Sequence, residues 1–350
     1  MKYVSLAISI GITLMTFGIS GCLTDPYSVG EPDSLFSEYV LVWDLMDSHY
    51  ACFFAKENVN WDELYQKYRG AANNLRSRDE LVDLCLQLLG ELSDQNLALR
   101  NSAGARMESW NQGHFVNWDL NVWQDYMLEW SPSSYVEELK PSGARVFFPT
   151  STDTVGYVYI SDMGKGFGDW RAFYDTTEVI NCCSGLILDL RMCGCSGYEM
   201  NAFYTCGRFV DERLLGFYRA FRAGSGRNDM GEMLPVWACR NGAWQFTKPI
   251  VLLTGRYTQG AAEQMVLLLK TQQHVTVIGD TTAGFANTAV SFNLTEGWTI
   301  EIPSLVTYSP DSTLILNSGI APEIYVPVSE ADFAAGIDPV LDAALEMILQ

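Results

Sequence analysis

A short turn between an apolar strand and a helix is the feature of this sequence with the most direct chemical meaning. The run PIVLLT (249–254) has the composition of a buried strand, and a helical pattern begins at Ala261. The turn from Gly255 to Gly260 can form an elbow that exposes one residue beside helix N–H groups able to bind an oxyanion. An ordinary connection in an α/β sheet has the same pattern, so the elbow alone does not identify an enzyme.

The cysteines are the next residues that could do chemistry. Cys182, Cys183, Cys193 and Cys195 form two close pairs, but their spacing is not that of zinc ligands and no histidine lies nearby. We therefore predict no metal and no other cofactor. The cysteines that follow Cys22 are even in number and permit disulfides in an oxidising compartment, although the sequence does not determine their pairing.

Three helical stretches precede the strand-rich part of the chain and form a predicted helical unit over residues 34–99. The first is SLFSEYVLVWDLMDSHYACFF, in which apolar residues recur at helical spacing. Asn60 is the predicted N-cap of the second, and Ser77 with Glu80 is a predicted capping box at the start of the third. Residues 100–150 are poorly patterned, and we predict short strands and loops there.

The chain from residue 151 to 346 has the pattern of an α/β domain. Four short apolar runs are typical of strands buried in a mixed or parallel sheet: GYVYI (156–160), GLILDL (185–190), PIVLLT (249–254) and VTVIGD (275–280). Helical patterns at 169–182 and 261–272 lie between them. These patterns predict a sheet with crossover helices.

The charge balance excludes one class of partner. The formal net charge is −20 with 22 Lys and Arg residues, and the chain has no basic run. A nucleic-acid partner is therefore not expected.

The amino terminus has the layout of a bacterial lipoprotein export signal. Met1 and Lys2 precede an apolar stretch from Tyr3 to Ile19, and small residues lead directly to Cys22. The apolar stretch is too short for a confident membrane span. We expect residues 1–22 to include the signal and the lipidated Cys22, residues 23–33 to be a linker, and the protein to sit in the cell envelope, on the periplasmic side or the cell surface, held to the membrane through its lipid anchor only.

Six motifs in order resemble the tail-specific, or C-terminal processing, serine peptidases, particularly their tricorn-core-like branch without an obvious PDZ insert. They are GYVYISDM, GLILDLRMCGCSG, RFVDERLLGFYRAFRAGSGRND, KPIVLLTGRYTQGAAEQMV, VTVIGDTTAG and GIAPEIYV. The helical unit is also similar to the helices of that branch, so the resemblance runs from about residue 34 to 346. It implies a crotonase-like mixed sheet with crossover helices and a small N-terminal helical unit.

The positions at which this family carries its catalytic side chains hold other residues here. Gly260 stands at the nucleophile position, Asn96 at the histidine base, and Phe285 at the alternative lysine base. The acid that orients the histidine aligns with Leu316 or Asn317. A glycine has no attacking group and an amide accepts no proton at neutral pH, so the resemblance implies that no catalytic residue remains.

The resemblance assigns the oxyanion-hole donors to the backbone of Gly194 and Ala261, which need no particular side chain. Thr258 and Ser196 lie near the predicted site as possible substitute nucleophiles, and Cys193 and Cys195 are possible thiol nucleophiles without an identifiable base. Of the histidines, His114 lies in the segment that could reach the cleft, whereas His49 lies in the first helix and His274 precedes a strand.

These observations predict an exported lipoprotein that has lost hydrolysis and binds an extended peptide or a protein partner. One alternative is an active serine or cysteine endopeptidase with relocated catalytic groups. Another is an envelope scaffold that interacts through exposed aromatic residues, for which the proposed surface is Trp110, Trp118, Trp123 and Trp130.

Overall fold

The computed structural model describes residues 32–130, 136–139, 144–147, 155–163, 177–194 and 199–349. The predicted export signal, Cys22 and most of the predicted linker lie outside these residues. No helix in the described part of the chain is long and apolar enough to cross a membrane.

Three capped helices open the described chain. They are α1 (Leu35–His49), α2 (Trp61–Ala72) and α3 (Arg78–Gly90). The predicted caps Asn60 and Ser77 are confirmed, since their side chains accept from the N–H groups of Glu63 and Glu80 at 3.3 and 3.2 Å. The predicted capping box is only half formed: Glu80 accepts from the N–H of Arg76, one residue upstream of Ser77.

An antiparallel sheet lies beside these helices. Its order is β2-β1-β12-β7-β8, with β11 also paired to the long strand β12. Its strands are β1 (Ala98–Arg100), β2 (Arg106–Glu108), β7 (Leu215–Phe221), β8 (Leu234–Trp237), β11 (Thr288–Asn293) and β12 (Thr299–Tyr308). Apolar side chains of α1, α3 and β12 share one core, so the helices bury their apolar faces on this sheet.

A second, mixed sheet has the order β13-β10-β9-β6-β5-β4-β3. Its strands are β3 (Val136–Leu139), β4 (Ala144–Phe147), β5 (Val155–Ile160), β6 (Gly185–Asp189), β9 (Ile250–Thr254), β10 (Val275–Gly279) and β13 (Ile324–Tyr325). The five strands from β13 to β5 are parallel to one another. Strand β4 pairs antiparallel with β5, and β3 pairs antiparallel with β4. The four predicted apolar strands are confirmed as β5, β6, β9 and β10.

Helices cover both faces of the mixed sheet. Helices α5 (Glu199–Cys206) and α6 (Ala261–Leu269) share a core with alternate strand residues such as Leu186 and Leu188. Helices α4 (Leu120–Trp130) and α8 (Pro339–Leu349) cover the other face, where they pack on the intervening strand residues such as Ile187. A short helix α7 (Glu330–Ala334) precedes α8. The predicted α/β fold with a small N-terminal helical unit is confirmed.

Helix α4 corrects the prediction of only strands and loops over residues 100–150. The side chain of Asp119 accepts from the N–H groups of Asn121 and Val122 and so caps this helix. The burial of Trp123 and Met127 against the sheet stabilises it. Of the predicted helix at 169–182, the described part is a 3₁₀ helix, Thr177–Cys182.

Candidate functional site

The elbow between β9 and α6 has the backbone conformation of a strained strand-to-helix turn. Gly260 is the N-cap of α6, with φ 59° and ψ −119°. This positive φ strongly favours glycine, and α6 begins at the next residue. The predicted elbow is therefore present, with Gly260 at its apex.

The two predicted oxyanion donors lie on turns that contact each other. The N–H of Gln259 donates to the carbonyl oxygen of Cys193 at 3.0 Å, which joins the elbow to the turn after β6. Ala261 is the first residue of α6, as expected for a donor at a helix start. The N–H of Gly194, however, donates to the carbonyl oxygen of Ser161 at 3.2 Å. One of the two predicted donors therefore already has an acceptor within the chain.

Glu263 connects the elbow to the loop after β10. Its fully buried carboxylate accepts from the N–H groups of Gly284 and Phe285 at 2.7 and 2.6 Å. It also accepts from the Thr282 hydroxyl at 2.6 Å and from the Gly260 N–H at 3.2 Å. Burial raises the pKa of Glu263 to about 7, and the four hydrogen bonds oppose that rise.

The position predicted for the histidine base lies in a buried turn. Asp94 accepts from the Tyr50 hydroxyl at 2.8 Å and from the N–H and side-chain amide of Asn96 at 2.9 and 2.8 Å. The side-chain oxygen of Asn96 is buried and has no hydrogen-bond partner among the described residues. Asn96 is thus held by Asp94 in an orientation that leaves its acceptor atom unpaired.

The position predicted for the orienting acid contacts this turn. The Asn317 side-chain amide donates to the carbonyl oxygen of Ser93 at 2.6 Å, and its backbone N–H donates to that of Gly284 at 3.0 Å. The Asn317 side-chain oxygen is also buried without a partner in the described part of the chain. Leu316 packs in the core beside the helical unit instead. Asn317 is therefore the residue of the two that faces the site.

Phe285, at the position of the alternative lysine base, completes the cluster. The guanidinium of Arg106 lies 5.2 Å from the centre of its ring and donates to the carbonyl oxygen of Gln95 at 2.8 Å. Four segments that are distant in sequence therefore meet at one site. They are the turn at 93–96, the elbow at 260–263, the loop at 282–285 and the turn at Asn317.

Two family profiles match the chain in the order of its elements. The profile of the Tricorn protease C1 domain matches residues 37–90, which contain the three capped helices. The profile of Peptidase family S41 matches residues 154–326, which contain the elbow and the loops around it. These two matches are consistent with a C-terminal processing peptidase family.

Solved structures share the fold of this chain over most of its length. A candidate peptidase from Parabacteroides merdae is 25% identical, with a TM-score of 0.75 over 91% of this chain and 98% of that one. A lipoprotein from Streptococcus agalactiae is 14% identical, with a TM-score of 0.57 over 88% of this chain and 98% of that one. The tricorn protease is 14% identical, with a TM-score of 0.57 over 90% of this chain and 36% of that one. No protein with a curated description matches the chain.

The possible substitute nucleophiles that the structure describes are engaged or buried. The Thr258 hydroxyl donates to the carbonyl oxygen of Leu190 at 2.9 Å and accepts from the N–H of Gly255 at 3.0 Å. Thr258 shapes the elbow in this way, and its side chain is fully buried. Cys193 lies in the core of the α/β domain. Ser196 and Cys195 lie outside the described residues.

His114 is the predicted substitute base that the structure places at the rim of the site. Its Nε2 is hydrogen-bonded to Gln112, whose side-chain amide donates to the carbonyl oxygen of Asn317 at 3.1 Å. Burial and the positive charge of Arg256 lower the pKa of His114, while Asp280 opposes this shift. His274 instead contacts the carbonyl oxygen of Phe209, and His49 lies against Phe292.

A buried ion-pair network behind the site was not predicted from the sequence. Arg191 is fully buried and donates to Asp189 at 2.8 Å, to Asp338 at 2.8 Å and to the carbonyl oxygen of Asn117 at 3.1 Å. This network fixes the turn after β6 that contacts the elbow. The sequence signal was the pair Asp189 and Arg191 directly after an apolar strand, since such charges are rarely fully buried unless paired.

The proposed aromatic surface is wrong for at least one of its members. Trp123 is 2% exposed, and its indole N–H donates to the Tyr157 hydroxyl at 2.7 Å. Trp118 stacks on Tyr159 and is half-buried. Trp110 is also half-buried, and the side chain of Trp130 lies outside the described set. Trp118 and Trp123 of the proposed surface therefore pack in the core beside the mixed sheet.

The structure describes seven cysteines, which are Cys52, Cys85, Cys182, Cys183, Cys193, Cys206 and Cys239. Five are buried: Cys52, Cys85, Cys183, Cys193 and Cys206. Burial raises the pKa of the Cys52 thiol, which suppresses the reactive thiolate. No group of three or more metal-ligating side chains occurs among the residues searched, which are the described ones.

Proposed function

We propose that this chain binds extended peptide or protein segments and does not hydrolyse them. The observation that carries the proposal is the presence of Gly260 at the apex of an elbow whose backbone has the strained form that usually presents a nucleophile. Acyl transfer through a covalent intermediate needs an attacking oxygen or sulfur atom, and Gly260 supplies neither.

The side chains around Gly260 support the same conclusion. The side-chain N–H groups of Asn96 and Asn317 donate to Asp94 and to the carbonyl oxygen of Ser93, and an amide accepts no proton at neutral pH. The Thr258 hydroxyl is held between two backbone groups. The described residues of this cluster therefore supply neither a general base nor a nucleophile.

Peptide binding needs less than hydrolysis does. The match of residues 154–326 to a peptidase family points to peptides or proteins as the ligand class. An extended peptide binds through main-chain hydrogen bonds and needs no nucleophile or base in the cleft.

We also propose that the protein is exported and anchored by lipid on Cys22. The support is the amino-terminal sequence, in which an apolar stretch leads directly to this cysteine. Replacement of Cys22 by Ala should move the protein from the membrane fraction to the soluble fraction of its host. Retention of the variant in the membrane fraction would refute the anchor.

One observation favours the alternative of a relocated active site. His114 lies at the rim and is linked through Gln112 to the position of the orienting acid. If His114 were a base, His114→Gln would abolish turnover of a peptide library. The proposal requires that no such turnover exists.

The test uses the protein that starts after Cys22, an unfolded casein substrate and a peptide library. We expect no cleavage and measurable binding of library peptides by fluorescence anisotropy. Gly194 has open space around it, so Gly194→Phe should weaken peptide binding by blocking the cleft without straining the fold. Gly70→Phe, which also has open space but lies on α2, should bind as the wild type does. Cleavage by the purified wild type, or the absence of any binding, would overturn the proposal.

A further inference from the structure

A cavity lies between the start of α2 and the hairpin that joins β7 to β8. Its volume is about 360 Å³, within the range of small-molecule sites. Its walls include the aromatic side chains of Phe53, Phe54 and Trp61 and the cationic side chains of Lys56 and Arg227. The cavity therefore combines an apolar wall with positive charge.

Arg227 forms a fixed wall of this cavity. Its guanidinium donates to both carboxylate oxygens of Asp62, at 2.9 and 2.7 Å, and to Asp47. The guanidinium carbon also lies 5.7 Å from the centre of the Phe53 ring. Because two carboxylates already neutralise Arg227, its role is to close the cavity and hold the hairpin against the helices.

Lys56 carries the positive charge that is not neutralised. Its ammonium donates to the carbonyl oxygen of Ser93 at 3.2 Å and forms no ion pair with the described residues. An ammonium has three N–H donors, so two are left for a ligand.

We propose that this cavity binds a ligand with one carboxylate and one apolar group, with the carboxylate on Lys56 and the apolar group against Phe53 and Phe54. A monoanion fits better than a multiply charged anion because the exposed carboxylate of Glu57 also lines the cavity. The volume suits a group about as large as one amino-acid residue. This cavity borders the turn at 93–96 through Lys56, but the proposal does not rest on peptide binding in the cleft.

The test is calorimetric titration of the protein that starts after Cys22 with N-acetylphenylalanine and with N-acetylphenylalanine amide. The two compounds share the apolar group and differ in the carboxylate. We expect the acid to bind at least ten times more tightly than the amide. Inorganic phosphate, which lacks an apolar group, should bind more weakly than the acid.

Variants locate the binding. Lys56→Gln should weaken binding of the acid at least tenfold, and Lys56→Arg should retain most of it. Lys270→Gln is the matched control, since Lys270 lies in another part of the molecule, 3.6 Å from Glu323. A thermal melt of each variant checks that the fold is intact.

Two peptides that end in phenylalanine, one with a free and one with an amidated terminus, distinguish the sources of the ligand. Tighter binding of the free-ended peptide than of the small acid would assign the cavity to polypeptide termini, and the reverse would assign it to small acids. Equal binding of acid and amide, an unaffected Lys56→Gln variant, or no binding of any carboxylate would overturn the proposal.

Discussion

The side-chain amide of Asn317 donates a hydrogen bond of 2.6 Å to the carbonyl oxygen of Ser93, and both residues have a positive φ, 58° and 46° respectively. Neither residue is glycine, so each conformation costs on the order of 1–3 kcal/mol and persists only where surrounding contacts enforce it. The contact joins the position predicted for the orienting acid to the turn that holds the position predicted for the base. It therefore fixes the two predicted positions relative to each other.

Replacement of Gly260 tests the strain at the elbow. With φ at 59°, Gly260→Ala should lower the free energy of unfolding by about 1–3 kcal/mol. Gly70→Ala is the matched control, because Gly70 lies inside α2 with open space around it and should gain up to about 1 kcal/mol. Urea unfolding followed by circular dichroism measures both. If Gly260→Ala had the same free energy of unfolding as the wild type, the elbow would not be strained.

Glu263 should make stability depend on pH. Its pKa is raised from 4.5 to about 7 in the folded protein, so between these values the folded state holds a proton that the unfolded state has lost. The contribution of Glu263 to stability is therefore fully present below about pH 4.5 and is lost as the pH rises to 7. A shift of this size corresponds to about 3 kcal/mol.

Comparison with Glu263→Gln isolates this contribution. The variant should be less stable overall. The side-chain NH2 group of the glutamine would face N–H groups that donate to the Glu263 carboxylate in the wild type. Its stability relative to the wild type should nevertheless improve as the pH rises from 5 to 7.5. The pKa values of His114 and His274 are lowered in the folded protein, so these residues make the protein more stable as the pH rises. This effect is the same in the wild type and the variant and does not change the difference between them. A difference that does not change with pH would refute the assignment.

Replacement of the buried Arg191 should lower the free energy of unfolding more than replacement of a neutral neighbour such as Tyr157. Arg191→Met leaves the carboxylates of Asp189 and Asp338 buried without their partner, which should cost about 3–5 kcal/mol. Tyr157→Phe removes hydrogen bonds to Asp189 and Trp123 and should cost about 1–3 kcal/mol. Denaturant midpoints of the two variants test this order, and a reversed order would contradict it.

Restoring catalytic side chains tests which roles are missing. Gly260→Ser alone should not react with a fluorophosphonate probe, because no base activates the new hydroxyl. Addition of Asn96→His should raise the labelling rate by about 10²–10⁴-fold, with the unpaired oxygen of Asn317 as an acceptor for the imidazole. Asn96→His alone should remain unlabelled. Rapid labelling of the single Gly260→Ser variant would reveal another base, and loss of that labelling in Gly260→Ser with His114→Gln would identify it.

Local patterns in the sequence were sufficient for most elements. The caps Asn60 and Ser77 and the four apolar strands could be predicted because capping and periodicity depend on neighbouring residues. The replacement of nucleophile and base by Gly260 and Asn96 stays a prediction, because it depends on the alignment of the motifs with the family. Helix α4 was missed because its stability depends on Trp123 and Met127 packing against a sheet formed by distant segments.

The sequence by itself determined the fold class and the elbow, and it assigned Gly260, Asn96 and Asn317 to the predicted catalytic positions. Only the tertiary structure decided how these positions are held: Glu263 binds the loop at 282–285, Asn317 binds Ser93, and Gly194 donates to Ser161. The physical reason is that these contacts join residues far apart in the chain. Their partners are set by the packing of two sheets and not by any local preference of the chain.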